Sequence, residues 1–132
     1  MKLSVGMTGN ASRVISEKDT AKAVGSGTVD VCATPVLAAV MEAAAVACVR
    51  DALPEGETSV GISMTLSHKA PTVVGGTVTA IAVLSAIEGR RLTFRILATD
   101  AAGEVGEATH ARFIVDEAVF TAKAADRAEI PD

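Results

Sequence analysis

The stretch Thr34–Val49, TPVLAAVMEAAAVACV, constrains this chain more than any other. Thr34 followed by Pro35 signals a helix start: the hydroxyl can cap free backbone N–H groups, and a proline in the first turn gives up a donor that has no partner there anyway. Val36, Leu37, Val40, Met41, Val46, Cys48 and Val49 are interleaved with alanines and leave no polar face, so the helix is expected inside the molecule. Glu42 sits in its middle and is its only charge. Burying an ionised carboxylate is costly unless it is partnered, so its presence needs a cause. One cause is structural, a basic partner or backbone amide reached at a gap in the core. The other is chemical, because desolvation makes an acid a usable base or nucleophile. The second is favoured.

Beyond the helix the pattern changes period. Asp51 to Glu57 supplies proline and glycine breakers, which end the helix between Arg50 and Leu53. Thr58–Ala70, Thr77–Ile87, Arg91–Thr99 and Glu104–Val115 are strand-length runs rich in Val, Ile, Thr and Phe. The connections between them are short, which favours antiparallel neighbours. Ahead of the helix, residues 3–16 read as a first strand with polar interruptions, and 16–27 as a short capped helix or turn closed by Gly25 and Gly27. The tail 117–132 is Ala-rich and charged, hence peripheral, and frayed at Pro131-Asp132.

A single domain, 1–132, is expected. One apolar helix and about five antiparallel strands bury each other only if the sheet curls round the helix. The expectation is therefore an α+β protein of the hotdog fold, a curled antiparallel β-sheet around one long apolar α-helix. Long strands and an outer sheet face further suggest a homodimer joined edge to edge.

Composition narrows the partners. A net charge of -4, with no basic cluster larger than Arg90-Arg91, argues against nucleic acid. Glu42 and Pro35 interrupt the only apolar run that approaches membrane-spanning length, and MKLSVGMTGN lacks the apolar core of a signal peptide. Cys32 and Cys48 have no metal-ligand or redox spacing, so they are expected as buried free thiols in a reducing cytoplasm, with no metal or cofactor.

Glu42 is the first candidate for chemistry. His68, in SMTLSHKAPT, and His110, in GEATHARFIV, compete as its acid–base companion, and the residues alone do not rank them. Glycines form neither a nucleophile elbow nor a phosphate loop. Thr34 is either a cap or a hydroxyl that, with the first helical amides, faces a developing negative oxygen. Eight residues of helix separate Thr34 from Glu42 by about 12 Å. Both touch one substrate atom only if the helix begins later than Thr34, or if a second subunit supplies one of them in a site shared across a dimer interface.

At these residues the chain closely resembles the hotdog-fold thioesterases of the fluoroacetyl-CoA thioesterase type. CATPVLAAVMEAAAVACVR, SVGISMTLSHKAPTVVGGTVT, SAIEGRRLTFRILATD and GEVGEATHARFIV carry the likeness, over roughly residues 31–116. The resemblance implies that Thr34, Glu42 and His68 are catalytic, and so selects His68 over His110; it implies that Gly61 and Arg112 contact substrate. It also implies hydrolysis of an acyl-CoA thioester: Glu42 as nucleophile or general base on water, His68 positioning or deprotonating a reacting group, and Thr34 orienting the carboxylate or carbonyl. Arg112, Lys69, Arg90 and Arg91 become candidates for the acidic groups of the CoA substrate. The departure lies ahead of the helix. Where the fluoroacetate-specific enzyme has a phenylalanine-bearing lid, this chain has Gly25 and Thr28 and no aromatic residue before Val49. A different or broader short-chain acyl-CoA is therefore expected. The main alternative is a non-catalytic acyl-CoA or small-molecule binding hotdog protein, with a hotdog hydratase third.

Overall fold

A computed structural model describes residues 2–128. Five antiparallel strands, β1 (Thr8–Val14), β2 (Glu57–His68), β3 (Thr77–Glu88), β4 (Arg91–Asp100) and β5 (Gly103–Asp116), form one sheet in the order β1-β3-β4-β5-β2. Helix α1 (Ala21–Val24) and a preceding 3-10 turn lead into α2 (Thr34–Val49), and α3 (Glu117–Ala128) ends the described chain. The helix bounds expected from the Thr-Pro start and the Pro-Gly stop agree with α2. The first strand is shorter than expected, because Gly6 sits in a turn ahead of it.

Period-two alternation decides which face of the sheet meets α2. Val78, Ala80, Ala82 and Leu84 of β3 and Leu92, Phe94, Ile96 and Ala98 of β4 point inward and are buried. Leu37, Met41, Ala44 and Ala45 of α2 fill the other side of this core. Alanine against alanine lets the helix axis come close to the strands, which a core of aromatic side chains would prevent. Gly9 of β1 marks the closest approach: a Cβ there would run into the backbone N of Cys48 and lie 2.6 Å from the carbonyl oxygen of Ala44. Beside it the Cys48 thiol donates to the carbonyl of Met7 across 3.2 Å. Cys32 and Cys48 are buried free thiols.

The structure corrects the expectation that α2 is enclosed on all sides. Pro35, Ala39 and Ala43 form an exposed strip along it, and Glu42 lies at the border of that strip. The sheet wraps only part of the helix, and the small apolar strip explains why the sequence lacks a polar face although the chain itself leaves that side open. Helix α3 has no buried residue. Pro131-Asp132, expected to fray, lies outside the described residues. Among the described residues, no helix is long and apolar enough to cross a membrane.

Gly9→Ala is expected to destabilise the fold by about 1–3 kcal/mol, because the clash is with helix backbone and no flexible side chain can yield. Urea unfolding with an unchanged m-value checks this; an unaltered midpoint would contradict the helix–sheet contact described here.

Candidate active site

The chain ahead of α2 is stitched down before the helix begins. The buried Asp19 carboxylate accepts from Arg13 at 2.7 Å, from the Ser16 backbone N–H at 3.0 Å and from the Ser16 hydroxyl at 3.1 Å. These contacts hold its carboxyl below the usual range, the Ser16 amide contributing most. Its carbonyl receives the N–H of Ala33, and the N–H of Cys32 donates to Thr72. The start of α2 is thereby set beside the end of β2, where His68 lies.

Thr34 is the first helical residue and not its cap; Ala33 holds the cap position and offers no side chain. The freed Thr34 hydroxyl instead hydrogen-bonds His68 Nδ1 at 2.8 Å. Burial lowers the His68 pKa, partly opposed by the backbone at Ala70, which favours the neutral ring. Two of the residues proposed from the sequence thus meet directly.

A second group forms farther along α2. Glu42 is not buried as the helix pattern implied: its side chain is 45% exposed, and it is partnered. Its Oε2 accepts from Arg112 Nη1 at 2.9 Å. Arg112, almost fully buried on β5, also donates from Nε to the Ser59 hydroxyl at 2.8 Å and from Nη2 to the Ser59 carbonyl at 2.9 Å. Gly61 makes room for this arrangement: a Cβ there would collide with Glu42 Oε2 and sit 3.3 Å from His110 Cε1. The basic partner envisaged as the structural cause for Glu42 therefore exists, yet it binds one oxygen only. Among the described residues Oε1 has no hydrogen bond, and the half-open position leaves it available to an incoming group.

His110 belongs to this second group, with Nε2 3.7 Å from Glu42 Oε2. Burial is the main cause of its lowered pKa. The sequence named His110 only as a rival to His68, without joining it to Arg112, and it did not single out Ser59. The signal was nonetheless present for one of them: Ala108, His110, Arg112 and Ile114 alternate onto the inward face of β5, so two ionisable groups share a face otherwise given to the core. Joining them to Ser59 and Gly61 requires the β2–β5 register, in which Gly61 lies opposite Arg112 and Met64 opposite His110.

The Thr34–His68 pair and the Glu42–Arg112 pair do not meet within one chain. They are separated by about 12 Å of helix rise and, between His68 and Gly61, by roughly 23 Å of strand. Two of the basic candidates are in surface ion pairs. Lys69 is engaged by Glu104 and Glu107, and Arg90 by Glu57.

Both histidines have folded pKa values below the ordinary 6.5, so the unfolded chain binds more protons in that region and stability rises with pH. Their contribution is complete above about pH 6.5 and declines as the pH falls below it. Urea midpoints at pH 7.5, 6.0 and 5.0 should decrease in that order; a rise on acidification would contradict the burial described.

The model of the fluoroacetyl-CoA-specific thioesterase family matches residues 15–118. The fluoroacetyl-CoA thioesterase of Streptantibioticus cattleyicolor is 39% identical over 94 residues, which cover 71% of this chain and 68% of that protein. The solved structure of the fluoroacetyl-CoA thioesterase FlK superposes with a TM-score of 0.90 at 31% identity, covering 99% of this chain and 100% of that one. A threonine-to-serine variant of FlK in complex with acetyl-CoA gives 0.91 at 30% identity, over 96% and 100% of the two chains. A hot-dog-like protein from Thermanaerovibrio acidaminovorans gives 0.85 at 25% identity, over 96% and 94%. The curled sheet around α2 is accordingly the hotdog fold expected from the sequence.

Proposed function

Because the chain belongs to the fluoroacetyl-CoA-specific thioesterase family, and so to the thioester hydrolases, we propose that it hydrolyses a short acyl-CoA with Glu42 as the reacting carboxylate. The observation that carries this role is the asymmetry of Glu42, one oxygen clamped by Arg112 and the other without a hydrogen bond among the described residues, on a half-exposed side chain. A clamped carboxylate is pre-aimed, so little ordering remains for the moment of reaction. Glu42 either attacks the acyl carbon, expelling the CoA thiolate and leaving a mixed anhydride that water then opens to the free acid, or draws a proton from a water that attacks instead. In the second route the water oxygen bonds to the carbonyl carbon, the C–S bond breaks, and the proton passes through Glu42 to the departing sulfur. The products are the free acid and the CoA thiol. Gly61 lets substrate approach the β2 backbone, and Arg112 holds positive charge beside the developing oxyanion. Thr34 and His68 orient the carbonyl or the water. The chemistry uses these side chains and assigns no step to a metal or cofactor.

We read the active unit as a homodimer. β2 is an edge strand with no charge from Thr58 to Ser67, an edge that stays soluble only when covered. The exposed apolar strip of α2 flanks it. Antiparallel pairing of two β2 edges about a two-fold axis sets the start of one strand against the end of the other. The Thr34–His68 pair of one protomer then faces the Glu42–Gly61 region of its partner, and the separation seen in one chain closes. Buried free thiols fit a reducing cytoplasm.

The acyl group is small, but discrimination for the fluorinated one is not part of the proposal. Gly25 lies in the left-handed region at φ 86°, with open space where a side chain would stand, and Thr28 is exposed. At these two positions the segment offers no aromatic surface to a C–F bond.

Glu42→Ala should abolish release of free CoA from a panel of short acyl-CoA thioesters, acetyl-CoA included, while the protein keeps its circular-dichroism spectrum and dimer mass. Retention of the rate by a folded variant would sink the role given to Glu42; binding of acyl-CoA without turnover by the unaltered protein would favour the binding-protein alternative. Mixing inactive Thr34→Ala and Glu42→Ala chains tests the shared site. Heterodimers should recover activity, because one of their two sites keeps both residues; sites confined to single chains would give no recovery.

A further inference from the structure

His110 is 2% exposed and belongs to neither pair of residues assigned a chemical task above. Its ring is wedged between elements: Phe94 of β4 lies 6.2 Å away centroid to centroid, Ser63 of β2 meets one nitrogen, and Arg112 of β5 and Glu42 of α2 meet the other. These contacts fix its tautomer. The Ser63 carbonyl oxygen, 2.8 Å from Nδ1, can only accept, so Nδ1 carries the proton. In a neutral imidazole Nε2 then presents a lone pair. Arg112 Nη1, which can only donate, lies 3.1 Å from it.

Arg112 Nη1 carries two hydrogens, one directed at Glu42 Oε2 and the other at His110 Nε2. With Nε and Nη2 bound to Ser59, the guanidinium plane has no freedom to turn. Remove the lone pair at Nε2 and one of these anchors is lost, at the nitrogen that holds the carboxylate. A proton at Nε2 has a worse effect still, since it would face an arginine N–H and compete with it for Glu42.

We propose that His110 is a positioning residue, whose unprotonated Nε2 holds the Arg112 guanidinium in the orientation that clamps Glu42. The assignment rests on reading Glu42 as the reacting carboxylate. It adds a third tier to that reading: ring to guanidinium, guanidinium to carboxylate, carboxylate to thioester. His68 and His110 thus divide the labour that the sequence could not apportion, one facing the substrate and the other facing the clamp.

The tautomer is tested on the whole unaltered chain by 1H–15N correlation of its imidazole nitrogens at pH 7. The His110 pattern should show a protonated Nδ1 and an unprotonated Nε2; a protonated Nε2 overturns the proposal. Kinetics supply the second arm. His110→Asn keeps a donor for Ser63 but has no acceptor at the Nε2 position, and should lower kcat for acetyl-CoA by about tenfold while KM changes by less than about threefold. His110→Gln, which can place an amide oxygen there, should retain about fivefold more kcat than the asparagine variant. Equal losses in the two variants, or a loss confined to KM, overturn the positioning role. If the asparagine variant does not fold, the ring spectrum of the unaltered protein still decides. Failure of the underlying reading is separate and visible: Glu42→Ala would then remain active whatever the His110 spectrum shows.

Discussion

The fold depends on how near one helix can come to one sheet. Ala44 and Ala45 on α2, Ala80 and Ala82 on β3, Ala98 on β4 and Gly9 on β1 are small where a typical core would be bulky. Their size brings α2 close, and the sheet curls to keep contact along both its flanks. A consequence for the site follows directly. Only a helix this close can deliver a glutamate to the backbone of β2, and only a glycine at 61 leaves space for it to arrive. The packing that stabilises the protein and the geometry that arms Glu42 are one arrangement.

Much of this was legible in the residues. The bounds of α2 follow from Thr-Pro at one end and Pro-Gly at the other, and the later strands from their alternation, because such signals are local. Of the two readings open for Thr34, the cap fails although a hydroxyl at a helix start usually serves its own backbone; here His68, thirty-four residues away, binds it instead. Glu42 was expected to be buried because its helix has no polar side. That inference treats a single chain as all there is, whereas an apolar strip can also be the surface that a second copy covers. Ser59 entered only with the β2–β5 register, which no spacing along the chain encodes, and the same register brings His110, already a candidate, to the Glu42 group.

Membership of the fluoroacetyl-CoA-specific thioesterase family and the local chemistry point the same way without being the same argument. The family indicates thioester hydrolysis; the geometry indicates how this chain would hold its carboxylate. They part at the lid. Gly25 and Thr28 offer neither an aromatic ring nor bulk, and no residue of the preceding α1 is buried. On the proposed reading, the reacting machinery on α2, β2 and β5 can be kept while selectivity for the acyl group changes through a different segment, residues 20–33.

The shared nitrogen of Arg112 sets a condition on how this region can vary. A lysine at 112 would preserve the charge but replace a planar fork by a single ammonium, which cannot reach Ser59, His110 and Glu42 along their three separate directions. Any one of these four residues is thus constrained by the other three. They form an interlocked unit, in which a viable alternative sequence must replace several members together.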